Sequence, residues 1–140
     1  MKPEPCACAR GVDVRIFHSH RESLEVSTLP WMSCTYQYAE VIAAGGRIYE
    51  NIAGEHSKVV LVDDRSVAVG SYNFEHAAHD RLIEAMLFSD DMAMCERFGL
   101  FFESMRNSAD NVALSPEWAN ELPFAVRLKR WFYRPLQRWI

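Results

Sequence analysis

The chain reads as an α/β domain, a mixed β-sheet flanked by helices. Three observations predict it. Short β-branched runs at 59–62 and 67–69 suit a buried hairpin, apolar residues recur at helical spacing from Trp31 to Ile42, and a second helical stripe follows from Met94 to Met105. With 140 residues, 49% of them apolar, there is enough material for one core and not for two.

The elements follow in order. Residues 12–17 predict the first strand. Pro30 opens a helix at the turn where its missing N–H costs nothing, and Trp31, Cys34, Tyr38, Val41 and Ile42 form the buried face. Gly45-Gly46 ends that helix, and residues 47–52 give the next strand. Residues 58–63 and 66–71 form the hairpin, and residues 81–88 a further strand. Ser89-Asp90-Asp91 caps a second helix whose face carries Met94, Cys95, Phe98, Phe101, Phe102 and Met105. That aromatic stripe is core packing rather than a cofactor contact.

Residues 1–122 make the domain, and the composition changes beyond them. Across 123–140, Arg127, Lys129, Arg130, Arg134 and Arg138 alternate with Phe124, Leu128, Trp131, Phe132, Tyr133 and Trp139, and no acidic residue follows Glu121. Two readings stand. One is a basic, aromatic segment resting in the headgroup region of an anionic bilayer. The other is a C-terminal helix packed on the domain with its arginines solvated. Pro135 breaks or kinks the segment in either case.

Several function classes are disfavoured. A formal charge of −4 argues against a non-specific nucleic-acid binder, which needs a basic surface to displace counterions. The N-terminus lacks the apolar core of a signal peptide and no run of 18 apolar residues occurs, which predicts a cytoplasmic or peripheral protein. Cys6, Cys8, Cys34 and Cys95 form no CxxC pair and read as reduced thiols. His18-Ser19-His20 offers two ligands at i and i+2, yet no matching cluster follows, so it reads as a loop after the first strand. No metal site is expected.

The chemistry lies between residues 56 and 73, which run His-Ser-Lys-Val-Val-Leu-Val-Asp-Asp-Arg-Ser-Val-Ala-Val-Gly-Ser-Tyr-Asn. If the hairpin closes with a two-residue turn at Asp64-Arg65, Asp63 faces Ser66, Lys58 faces Ser71 and His56 faces Asn73. Alternation then puts His56 and Lys58 on one face, with Ser71 and Asn73 beside them. An imidazole, an ammonium, a hydroxyl and a carboxamide in one patch suit a phosphate, with Lys58 as point charge and neutral donors for the non-bridging oxygens. Asp63 lies roughly 23 Å along the strand from His56, too far to orient it, and its expected work is at the turn, accepting backbone hydrogen bonds and setting the register. Glu84, inside an apolar run, is a candidate partner for His56. A solvated edge glutamate, or one paired with Arg81, fits the residues equally.

His56, Lys58, Asp63, Gly70, Ser71 and Asn73 together resemble the signature of the phospholipase D superfamily, His-x-Lys-x4-Asp-x6-Gly-Ser-x-Asn. Residues 9–16 and 43–50 are similar to the corresponding segments in the C-terminal half of bacterial cardiolipin synthase-like members. The arginine, serine and asparagine usual in that subgroup after Gly-Ser-x-Asn are replaced by Ala77, Ala78 and Leu82. The resemblance implies a phospholipase D-like fold with one half-site, a structural role for Asp63 and Gly70, and a Glu84 that pairs with the motif histidine. It implies phosphodiester chemistry on a phospholipid through a phosphohistidine, with no cofactor, at a site peripheral to the cytoplasmic membrane.

A site in that family uses two motif copies, and this chain carries one. Either it pairs with itself across a two-fold axis, or it is the second half of a two-motif enzyme, which the abrupt start near Cys6 favours. A homodimeric phosphodiesterase or nuclease and an inactive half-enzyme are the alternatives to a phosphatidyltransferase.

Overall fold

The computed structural model describes residues 7–24, 28–73, 78 and 81–136. In chain order its elements are β1 (Arg15–Ser19), α1 (Leu29–Thr35), α2 (Tyr38–Ala43), β2 (Arg47–Asn51), β3 (Val59–Val62), β4 (Ser66–Gly70), β5 (Met86–Ser89), α3 (Met92–Asn107), β6 (Asn111–Ala113), α4 (Trp118–Glu121) and α5 (Phe124–Tyr133). The chain is α/β as expected, but the described strands divide over two three-stranded sheets. One is mixed: β1 runs parallel to β2, with Ile16 opposite Ile48, and β6 pairs antiparallel on the far side of β2. The other is an antiparallel meander of β3, β4 and β5.

Parallel strands need a crossover, and α1 and α2 supply it. The sequence predicts one helix from Pro30 to Ile42, whereas the structure breaks it at Tyr36-Gln37. The break follows Thr35. Its carbonyl accepts a hydrogen bond from Arg130 Nη2 at 3.1 Å, its hydroxyl accepts one from Arg130 Nη1, and the residue is fully buried. Both polar groups of Thr35 are thus engaged by Arg130 at the point where α1 ends. Gly45 then stops α2 with a φ of +94°, and Gly45 and Gly46 donate to the carbonyls of Ile42 and Val41 at 2.9 Å.

The main core lies beneath the first sheet and consists of Trp31, Met32, Tyr38, Ile48, Trp118 and Leu122. Glu50 is buried within it, accepting from Trp31 Nε1 at 2.7 Å, and burial pushes its carboxyl above the ordinary glutamate range. Trp118 and Leu122 come from a stretch with no periodic signal, as do β6 and α4. Helix α3 begins as predicted, with Asp91 accepting from Met94 N at 2.8 Å. Cys95 and Met105 are buried, Phe98 and Phe102 half-buried, and the helix packs on β3, β4 and β6, so it leans on both sheets.

Three boundaries shift. β1 starts at Arg15, and just before it Asp13 pairs with Arg47 and Arg15, which hold its carboxyl below the usual range. Paired with Glu50 and Asn51 of β2, His18 and Ser19 lie in β1 and not in a loop, while His20 follows the strand and accepts from Glu22 N at 3.2 Å. β5 starts at Met86, so Glu84 precedes the strand. Residues 123–133, set apart by composition, touch the rest of the fold. Val126 and Tyr133 of α5 pack against the core, and Arg130 lies among the Trp31, Tyr36 and Trp118 rings. Among the described residues no helix is long and apolar enough to cross a membrane.

Candidate active site

The motif hairpin has a different register from the one the sequence predicts. Val62 faces Ser66 and Val59 faces Val69, leaving Asp63, Asp64 and Arg65 in the loop. Asp63 and Asp64 adopt φ of 52° and 53°, and Arg65 N donates to Val62 O at 3.0 Å. Hairpin loops favour positive φ, which Asp tolerates better than most residues, so the aspartates add a residue to the turn. Asp63 thus contributes backbone conformation at the turn. One consequence is that Lys58 lies across from Gly70 and not Ser71, with Gly70 N donating to Lys58 O at 3.1 Å.

Gly70 is set by its neighbours. A Cβ there would fall 2.0 Å from the Ala85 carbonyl oxygen, so only glycine lets β4 pass β5 at this point. Immediately beyond, Ser71 N donates to Ala85 O at 3.0 Å, Ala85 N donates to Ser71 Oγ at 3.1 Å, and the Ser71 hydroxyl donates to Glu84. Glu84 is half-buried at this junction, and Asn73 is half-buried two residues past Ser71.

The expected Glu84–His56 hydrogen bond is not made among the described residues. β4 lies between β3 and β5, so residues on the outer strands start about 10 Å apart, two strand spacings. The Ser71 hydroxyl is nearer, and the carboxylate takes it.

His56 itself is exposed and sits in the segment that leads into β3. Both its neighbours are pinned. Ser19 at the end of β1 accepts from Glu55 N at 2.8 Å and donates to Glu55 O, while the Glu55 carboxylate accepts from Ser57 N at 2.6 Å. Lys58 Nζ donates to the His56 carbonyl at 2.6 Å. Burial holds the His18 imidazole below the ordinary histidine value, its hydrogen bond to the Ser19 carbonyl opposes this, and the Lys58 charge adds a smaller lowering. His18 therefore stays neutral near neutral pH and leaves the local positive charge to Lys58.

The site is thus one end of the second sheet. The entry to β3, the exit of β4 and the entry to β5 bring His56, Lys58, Ser71 and Glu84 to the same edge, open to solvent at His56 and Ser71. Ser19 and His18 join it from the first sheet, which the sequence does not reveal, because their proximity to residues 55–58 comes from tertiary packing. Among the described residues no group of three or more His, Cys, Asp or Glu side chains could hold a metal ion. A cavity of about 380 Å³ lies elsewhere, over Glu50, Leu114 and Trp118.

Comparison with known proteins agrees with the motif. Residues 6–106 match the family described as cardiolipin synthase, PLD-like domain. Over 91 residues, 64% of this chain, the sequence is 32% identical to cardiolipin synthase A of Pseudomonas fluorescens (strain SBW25), of which it spans only 18%. The fold resembles the crystal structure of Nuc from Salmonella typhimurium, a phospholipase D family member, with a TM-score of 0.57, 23% identity and coverage of 74% of this chain and 65% of Nuc. The family match runs from before β1 to the last turn of α3, taking in β1 to β5 and the whole motif, and the chain belongs to the phospholipase D-like family of cardiolipin synthase domains.

Proposed function

We propose that the motif edge of the β3–β4–β5 sheet transfers phosphatidyl groups by way of a phosphohistidine. The observation that carries this reading is the gathering of His56, Lys58, Ser71 and Glu84 at one sheet end, at the spacing of the family signature. His56 attacks phosphorus, forming an N–P bond while the ester P–O bond breaks, and the departing alkoxide takes a proton from the second motif's histidine. An acceptor alcohol or water then returns its proton to that second histidine and attacks phosphorus, and the N–P bond breaks to release His56. The same groups serve if the two histidines exchange roles. Lys58 and Asn73 bind the non-bridging oxygens, joined by Ser71 when its hydroxyl turns from Glu84 to the phosphate, and Glu84 holds Ser71 in place until then.

The substrate in this reading is a phospholipid, in keeping with the name of the cardiolipin synthase relative, and the work is done peripherally at the cytoplasmic membrane. The second motif comes from another copy of the chain or from another half of a longer enzyme. Ile83, fully exposed, and Leu87 and Phe88, largely so, offer apolar surface beside the motif edge for that partner. The complete enzyme is tested by incubation with phosphatidylglycerol vesicles. Cardiolipin or phosphatidic acid is expected with wild type and not with His56→Ala, and equal product from both would remove the reading.

A second reading, a homodimeric phosphodiesterase or nuclease, is favoured by the single motif copy. Its mark is a dimeric mass in solution together with turnover of a soluble phosphodiester. A monomer without such turnover would count against it.

A further inference from the structure

Helix α5 is docked on the core by Val126, Arg130 and Tyr133, and a second apolar stripe is left facing outward. Val126 and Tyr133 pack against the core cluster, and between them the Arg130 guanidinium lies 5.4, 5.0 and 5.1 Å from the ring centres of Trp31, Tyr36 and Trp118. The Tyr36 hydroxyl donates to the Arg130 carbonyl at 2.8 Å and fixes the rotation of the helix. At about 100° per residue, Phe124, Leu128, Trp131 and Phe132 then fall in a stripe roughly 100° wide on the opposite side. They are 77%, 52%, 73% and 69% exposed. An amphipathic helix on a globular protein ordinarily buries such a stripe.

Charge identifies what covers it. Arg127 and Arg134 border the stripe on one side and Lys129 on the other, and no acidic residue occurs from Leu122 to Ile140, although the whole chain carries −4. A second copy of the chain on this face would set arginine and lysine against their own kind, with no carboxylate on the helix to separate them. A layer of lipid phosphates answers both features, because aromatic rings rest at headgroup depth and flanking cations meet the anionic surface.

We infer that the outward stripe of α5 is an interfacial anchor for anionic lipid bilayers, with Trp131 and Phe132 entering the headgroup region and Arg127, Lys129 and Arg134 on lipid phosphates. Arg130 takes no part in that contact, since it is committed to the core. The inference names the lipid-binding element without relying on the chemistry at His56.

The test is partition of the whole chain onto vesicles, either of phosphatidylcholine alone or of equal parts phosphatidylcholine and phosphatidylglycerol. Binding to the anionic vesicles, weakened by salt, is expected, and a Trp131→Ser/Phe132→Ser double variant loses at least about tenfold in partition with an unchanged circular dichroism spectrum. An Arg127→Glu/Lys129→Glu variant loses at least as much, about tenfold, on the anionic vesicles. His56→Ala binds as wild type, and unchanged turnover in that variant with retained binding would contradict the proposed chemistry and leave the anchor standing. Equal binding to both vesicles, or aromatic and charge variants that bind as wild type, would overturn the anchor. So would a dimer in solution that Trp131→Ser/Phe132→Ser converts to monomers, which would make the stripe a protein interface.

Discussion

Two glycines show how much of the site depends on single positions. At Gly70 an added methyl meets the Ala85 carbonyl oxygen at 2.0 Å, whereas at Gly99, within α3, the nearest atom is Asp64 Oδ1 at 3.6 Å. Gly70→Ala is therefore expected to lower urea stability by about 3 kcal/mol, since β4 and β5 must separate. Gly99→Ala raises it by up to about 1 kcal/mol, because a helix gains from losing glycine's backbone entropy. Opposite signs are the diagnostic. Glu50 gives a pH test. An unfolded carboxyl titrates near 4.5, and burial raises the folded one above it. Between the two values the folded state holds the extra proton, so Glu50's contribution is complete below the unfolded value and is lost as pH rises through the folded one. Thermal unfolding of Glu50→Gln, which keeps an acceptor for Trp31, escapes that loss, so its advantage over wild type grows as pH rises above 4.5. The motif residues were legible at this scale because their identities and spacing are themselves the signal. The Ser71–Glu84 bond was not, because it depends on which side chain lies nearer once β4 separates β3 from β5.

At the scale of elements, alternation and helical spacing located the hairpin and α3, whose patterns are regular. They failed where one element is interrupted by another far along the chain. The helix predicted through residues 30–42 breaks where Arg130, from α5, meets the Thr35 carbonyl at 3.1 Å, and no local pattern carries that contact. The hairpin register slipped by one residue for a different reason: Asp63 and Asp64 both accept positive φ, so the loop takes three residues where two were expected. Arg130 ties α1, α4 and α5 together through Trp31, Tyr36 and Trp118. A lysine cannot reproduce the planar stacking or the two-pronged donation to Thr35. Arg130→Lys is expected to cost about 2 kcal/mol in chemical denaturation, and Arg134→Lys almost nothing.

For the molecule as a whole, the first sheet carries the main core and the second carries the motif edge, with α3 leaning on both. The composition forecast one domain with a boundary at residue 123, and the helix beyond that boundary packs Val126 and Tyr133 against the main core while Arg130 reaches Thr35. What composition could not give is the orientation of that helix, which only the docking of Arg130 decides. The account stands or falls on whether the motif edge handles a phosphodiester. The direct measurement is the turnover rate of a phosphodiester by the complete enzyme carrying wild-type, His56→Ala or Lys58→Ala sequence. A fall of at least about a hundredfold in kcat/KM is predicted for each substitution, and rates equal to wild type for both would contradict it.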